Sequence, residues 1–172
     1  MAGPTEIDVW QGEIAALEVD ALVVGSSESL FMTGGAAASV KRLGGTQIES
    51  AAVAQGPLAP GNAVVTAGGR LAAPYVIHAV AVGHDRVAAP DRLRAALEAA
   101  LAFCEPLQLH RIAIAPLGME FGAFRAEDAA EIIVSTLLDV TAPPLESIVI
   151  AAPHAAEARA MADALARRRA RA

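Results

Sequence analysis

Lysine is almost missing from this chain of 172 residues: Lys41 stands alone against twelve arginines. That ratio, with abundant alanine, is the pattern expected of GC-rich bacterial coding. Aromatic residues make up only 3%. A platform that stacks single-stranded bases needs exposed rings, so that function class is excluded. The formal net charge of -6 argues against general binding of nucleic-acid backbones. Cys104 is the single cysteine, which excludes an internal disulfide. It falls on the apolar stripe of a predicted helix, where a free thiol acts as a small hydrophobe. No window approaches the roughly 18 uninterrupted apolar residues of a membrane helix. The stretch Met1 to Val9 lacks the basic and apolar regions of a secretory signal. The expectation is a cytoplasmic protein with no membrane partner. A Gly-x-Gly-x-x-Gly after the first strand is also missing, against a Rossmann dinucleotide domain. His78, His84, His110 and Cys104 have no zinc-type spacing. Neither a metal nor a cofactor is expected.

What is present is a chain with 55% hydrophobic residues, much of that alanine. The length suits a single domain over residues 1–172, with a core at about 7–165. Arg167, Arg168, Arg169 and Arg171 close the chain. Cations there complement the negative end of a terminal helix.

Hydrophobic patterning predicts strands at 7–10, 21–25, 63–66, 76–82, 111–117 and 147–152. Helices are predicted at 35–43, 46–55, 91–104, 127–139 and 154–169. Ala21 to Gly25 is a continuous apolar run, as a strand buried on both faces requires. In the first helix Ala36, Val40 and Leu43 share a face. In the second, Thr46 and Glu49 have capping-box spacing. In the last, Ala158, Met161, Ala162 and Leu165 are expected inward. Strands alternating with helices give an α/β class with a mostly parallel sheet and helices on both faces. Right-handed crossovers bring the βα loops to one sheet edge, where such sheets bind ligands.

Two of those loops carry the functional signal. Gly25-Ser26-Ser27 leaves a buried strand and leads to Gly34-Gly35 at a helix start. Glycines let backbone N–H groups approach a ligand closely. A helix N-terminus adds unpaired donors and partial positive charge, a plausible anion site. A second glycine loop, Gly118 to Gly122, follows a later strand. His78 lies within a strand and reads as a hydrogen-bonded core histidine.

In their order and spacing these residues resemble the macro domain family. The parallels are Gly12-Glu13-Ile14, Val19-Asp20-Ala21-Leu22-Val23, Gly34-Gly35, and Gly61-Asn62-Ala63-Val64-Val65-Thr66. Further parallels are Tyr75-Val76-Ile77-His78-Ala79-Val80 and Ala115-Pro116-Leu117-Gly118 leading to Gly122-Ala123-Phe124. The resemblance implies a three-layer α/β/α sandwich with a mixed, mostly parallel sheet and an ADP-ribose cleft. Glu13 would take the adenine amine, with the Ile14 N–H as companion. Gly34, Gly35 and Ala36 match the loop around the distal ribose and pyrophosphate. Ser26 and Ser27 stand where the family has the end of Asn-Ala-Ala-Asn. Gly118, Met119, Glu120, Phe121, Gly122, Ala123 and Phe124 match the second phosphate loop. Phe121 and Phe124 either cap the cleft or pack beneath the loop, and His154 either stacks on the base or is an ordinary helix-entry residue after Pro153.

Three departures stand out. Ser27 replaces an Asn, Ala37 replaces an acid carried by some hydrolytic members, and Glu120 replaces a glycine. Glu120 is expected to turn outward to solvent, the alternative being an internal anion at the diphosphate site. No catalytic residue is assigned. The expected function is binding of ADP-ribose or a related nucleotide, with ADP-ribosylated macromolecules as possible partners. The alternatives are an ADP-ribosyl hydrolase using substrate-assisted water attack, and a divergent scaffold for protein contact.

Overall fold

A computed structural model describes residues 3–172. Six strands form one sheet: β1 (Glu6–Gln11), β2 (Ala21–Gly25), β3 (Asn62–Ala67), β4 (Tyr75–Val80), β5 (Arg111–Ile114) and β6 (Ser147–Ala152). Their order is β1-β6-β5-β2-β4-β3. All neighbours run parallel except β3, which is antiparallel to β4. Among the described residues there are five α-helices: α1 (Gly35–Gly44), α2 (Thr46–Val53), α3 (Pro90–Leu101), α4 (Ala126–Asp139) and α5 (Ala155–Ala170).

Strand alternation sorts the core into two sides. Ala21 and Val23 of β2, Ile112 and Ile114 of β5, and Ile148 and Ile150 of β6 face one side. There they meet Leu93 and Leu97 of α3, Ile133 of α4 and Met161 of α5. Leu22, Val24 and Ala113 face the other side, against Ala37 and Val40 of α1 and Ile48 of α2. The chain is therefore an α/β/α sandwich around a mixed, mostly parallel sheet. Asp20 fixes the lower end of β5: its Oδ2 accepts the His110 and Arg111 N–H groups at 2.7 and 2.8 Å.

Some local expectations fail for tertiary reasons. Strands expected to run on to 82 and 117 end at Val80 and Ile114. Leu43 is 48% exposed, because the buried face of α1 is Ala37, Ser39, Val40 and Gly44. Ala162 is exposed and Ala158 half-buried, since α5 turns Ala160, Met161, Ala164 and Leu165 inward. The capping box does not form. Gly45 is the N-cap of α2, Thr46 is its first helical residue, and no side chain caps it. Glu49 instead accepts the Met32 N–H at 2.7 Å and pairs with Lys41 Nζ at 3.0 Å. The Met32 N–H chiefly holds its carboxyl below the usual carboxylate range. This contact ties the loop before α1 to α2.

Cys104 is buried in the core, and burial pushes its thiol up to about 11. The terminal arginines pack rather than trail: Arg168 Nε donates to Glu131 of α4 at 2.9 Å, and Arg169 donates to the Ile7 carbonyl at 2.7 Å. Among the described residues no helix is long and apolar enough to cross a membrane.

Candidate functional site

Adjacent strands β2 and β5 send their chains to opposite layers, β2 to α1 and β5 to α4. A crevice forms where crossovers diverge in this way. It lies at the C-terminal ends of β2, β5 and β6, marked by Gly25, Ala115 and Pro153, and encloses about 370 Å³. A second pocket of about 170 Å³ shares Gly35, Ala36, Pro153 and His154 with it. Together they form one two-part cleft.

One wall is the start of α1. Its N-cap is Gly34, with no side-chain cap, and Gly35 has φ +58°. The first intrahelical bond is Ala38 N–H to Gly34 carbonyl at 3.3 Å. The preceding first-turn N–H groups have no intrahelical acceptor by construction. Ser26 lines the same cleft, buried, with its Oγ unpaired by any protein group among the described residues. The Ser27 hydroxyl is engaged with Ser29 Oγ at 2.9 Å.

The opposite wall is the loop between β5 and α4, and it is closed on itself. The N–H groups of Gly122, Ala123 and Phe124 donate to the carbonyls of Met119, Glu120 and Gly118 at 3.1, 3.2 and 3.2 Å. This short 3-10 turn includes Phe121 at φ +60°. The Gly118 N–H is taken by Glu120 Oε2 at 2.8 Å.

Glu120 therefore corrects an expectation: it points into the cleft, not out to solvent. Its Oε1 sits where a β-carbon on Gly25 would lie, so the missing side chain at the end of β2 makes room for it. Burial pushes the carboxyl up to about 6, against the lowering effect of its own and Gly118's N–H groups.

Of the residues singled out from sequence, Ser26, Ser27, Gly34, Gly35, Ala36, Met119, Glu120, Phe121 and His154 line the main cleft. Glu13 and Ile14 line the smaller pocket. Glu13 Oε2 accepts a 2.8 Å bond from Ser39 Oγ, which fixes it against α1. Gly118, Gly122, Ala123 and Phe124 do not line either part. Their N–H groups are used inside the loop, and Phe124 is packed in the core beneath it, near Leu93 and Gly118. Phe121 is exposed at the mouth with the Arg86 guanidinium 5.1 Å from its ring centre.

The sequence analysis did not assign Phe31 and Glu157 to the main cleft or Arg42 to the smaller one. Helical spacing from His154 was the signal for Glu157. Among the described residues, the charged side chains on the main cleft are Glu120 and Glu157, with no lysine or arginine. No three His, Cys, Asp or Glu side chains gather as a metal would need among the described residues.

His78 lies away from the cleft lining. It is buried, with Nε2 3.0 Å from Thr66 Oγ1, and burial pushes its imidazole down to about 4. It is the hydrogen-bonded core histidine that the sequence suggests.

Comparison with known proteins agrees with this architecture. The Macro domain family model matches residues 23–133. A Cupriavidus necator protein described as a macro domain-containing protein is 34% identical over 152 residues, covering 83% of this chain and 87% of its own. A Mycobacterium tuberculosis protein, described as uncharacterized, is 29% identical over 93% of this chain. This chain spans 45% of that relative's length. The Oceanobacillus iheyensis macrodomain, solved with ADP, superposes with a TM-score of 0.89 at 15% identity, covering 100% of this chain and 96% of that one. A Trypanosoma brucei macrodomain in complex with ADP gives 0.85 at 20% identity, over 93% and 69%. The sheet order, the switch-point cleft and the family match lead to one assignment: this chain belongs to the macro domain family.

Proposed function

We propose that this protein binds ADP-ribose, or a closely related nucleoside diphosphate, in the two-part cleft. The carrying observation is the uncapped N-terminus of α1 opening on a cleft that continues into a second pocket. Free N–H groups and the helix dipole favour a diphosphate there. The smaller pocket takes the base, with the Glu13 carboxylate as acceptor for an exocyclic amine and the Ile14 N–H beside it. His154, shared by both parts, flanks the junction. Ser26 Oγ is a buried hydroxyl without a protein partner and serves as a ligand contact. The bound ADP in the Oceanobacillus and Trypanosoma macrodomains supports the same ligand class.

The reading is binding without efficient turnover. Ala37 supplies a methyl group where some hydrolytic family members carry an acid, and general acid–base work requires a titratable group within hydrogen-bond reach. Ser27 shares its hydroxyl with Ser29 Oγ at 2.9 Å, and its side chain is shorter than the Asn of the family pattern.

Calorimetric titration with ADP-ribose and with AMP tests the proposal. Tighter binding of ADP-ribose is expected, because only it offers the diphosphate to α1. Equal affinity for the two removes the diphosphate assignment. No heat with either favours a scaffold for protein contact. Incubation with ADP-ribosylated protein is expected to leave the label in place.

A further inference from the structure

We propose that Glu120 is an internal anion that occupies the second wall of the cleft, so that binding of a diphosphate ligand is coupled to uptake of one proton by this carboxylate. The inference rests on the ligand class proposed above and assigns what controls that site.

The geometry is specific. Glu120 Oε2 holds the Gly118 N–H at 2.8 Å, a backbone donor of the kind that anions take. Its Oε1 fills the space left by the absent side chain of Gly25. The same carboxylate lines the cleft whose other wall is the uncapped start of α1. An anionic ligand placed against α1 must therefore share a confined space with a second negative charge. Like charges repel by roughly 1 kcal/mol at 4 Å in water and by more where water is excluded.

Among the described residues no lysine or arginine on the main cleft relieves this. From β2 and its loop come Gly25, Ser26 and Ser27, none ionisable. From the first turn of α1 come glycine and alanine. From the entry of α5 come His154 and Glu157, the latter adding negative charge. From the loop before α3 comes Arg86, which lies on the outer Phe121 ring. The cheapest relief is protonation from solvent, which leaves a neutral acid that can donate a hydrogen bond to a phosphate oxygen. Burial already raises the carboxyl to about 6, so the protonated form is accessible.

The test is calorimetry with ADP-ribose, whose pyrophosphate stays doubly ionised across the range used. Wild-type affinity is expected to be at least tenfold, and at most about a hundredfold, weaker near pH 8 than near pH 5, since only the protonated fraction binds well. Glu120→Gln should bind tightly at both values, within about twofold, as it keeps the shape and cannot ionise. A Glu120→Gln variant that keeps the wild type's pH dependence overturns the proposal. Titration of the wild type in two buffers of different ionisation enthalpy should show proton uptake near pH 7, from about half a proton for a tenfold pH dependence to close to one for a hundredfold. That measurement needs no variant and stands if Glu120→Gln fails to fold. Binding that is equal in both proteins and flat with pH overturns the proposal while keeping the nucleotide reading. A tight Glu120→Gln beside a weak wild type with no proton uptake also overturns the coupling. No binding by either protein at any pH overturns this inference and the nucleotide assignment together.

Discussion

At the start of α1 the first-turn N–H groups lack both an intrahelical acceptor and a side-chain cap. In the loop after β5 the N–H groups of Gly118, Gly122, Ala123 and Phe124 are all taken up within the loop. Both segments are glycine-containing, both follow a parallel strand, and they face each other across one cleft. The difference is what satisfies the donors. The α1 wall leaves them for a ligand, while the second wall supplies its own carboxylate. Glycine content alone therefore does not make an anion site; the site depends on whether the loop's donors are already spent.

The largest expected effect tests the platform beneath both walls. His78 on β4 is held neutral, with an imidazole depressed from 6.5 to about 4. The unfolded chain takes the proton first as pH falls. The stability His78 contributes is thus present above pH 6.5 and lost as pH drops through about 4. Up to about 3 kcal/mol should disappear over that window. Chemical denaturation near pH 7 and pH 4 measures it, and His78→Gln should lose less. Equal losses in both proteins would assign the titration elsewhere.

The next effect has the opposite sign and belongs to the self-filled wall. Glu120 is raised from 4.5 to about 6, so its contribution is present below pH 4.5 and lost as pH rises through about 6. Glu120→Gln should be more stable than wild type near pH 8, by about 2 kcal/mol at most. The gain should vanish below pH 4.5. A denaturation midpoint unchanged at pH 8 would mean that the carboxylate is not desolvated.

A smaller effect breaks the open wall. Gly35 sits at φ +58° with free space where a β-carbon would go, so the cost of a side chain is conformational. Gly35→Val should cost roughly 1–2 kcal/mol of backbone strain. Relief of that strain turns the helix entry and weakens ADP-ribose binding by about tenfold. Unchanged affinity by calorimetry would detach the α1 wall from the ligand.

The smallest effect concerns the cleft mouth. Arg86→Ala removes the guanidinium from the Phe121 ring, an exposed contact of about 0.5–1 kcal/mol. A slight drop in denaturation midpoint is expected, with ADP-ribose affinity shifted by less than threefold. A large loss of affinity would place Arg86 on the ligand itself.

The sheet and helices were largely legible because they follow from strand and helix periodicity. Ala21 to Gly25 and Ser147 to Ala152 match their predicted spans. Side-chain direction was less legible. Leu43 fits a helical stripe, yet the layer beneath α1 accepts Val40 and Ala37 instead. Glu49 has capping-box spacing, yet Met32 and Lys41 offer better partners. Glu120 shows the limit most clearly. Its inward turn depends on a space at Gly25, on another strand and 95 positions away, which no local pattern encodes. The α1 half of the cleft was readable because a helix N-terminus has its donors by construction. The second half was not, because the N–H groups of Gly118, Gly122, Ala123 and Phe124 are taken by bonds that only the folded loop defines.

The two cores on either side of the sheet have a mechanical consequence. One cleft wall is carried by the layer of α1 and α2, and the other by the layer of α4 and α5. The cleft is a seam between two separately supported plates. A ligand that touches Gly35 on one plate and Pro153 on the other would tie the two together. Saturation at a hundred times its dissociation constant would then raise the unfolding free energy by about 2.7 kcal/mol. The same tie should slow hydrogen exchange on α1 and α5 together, although the two helices belong to different cores.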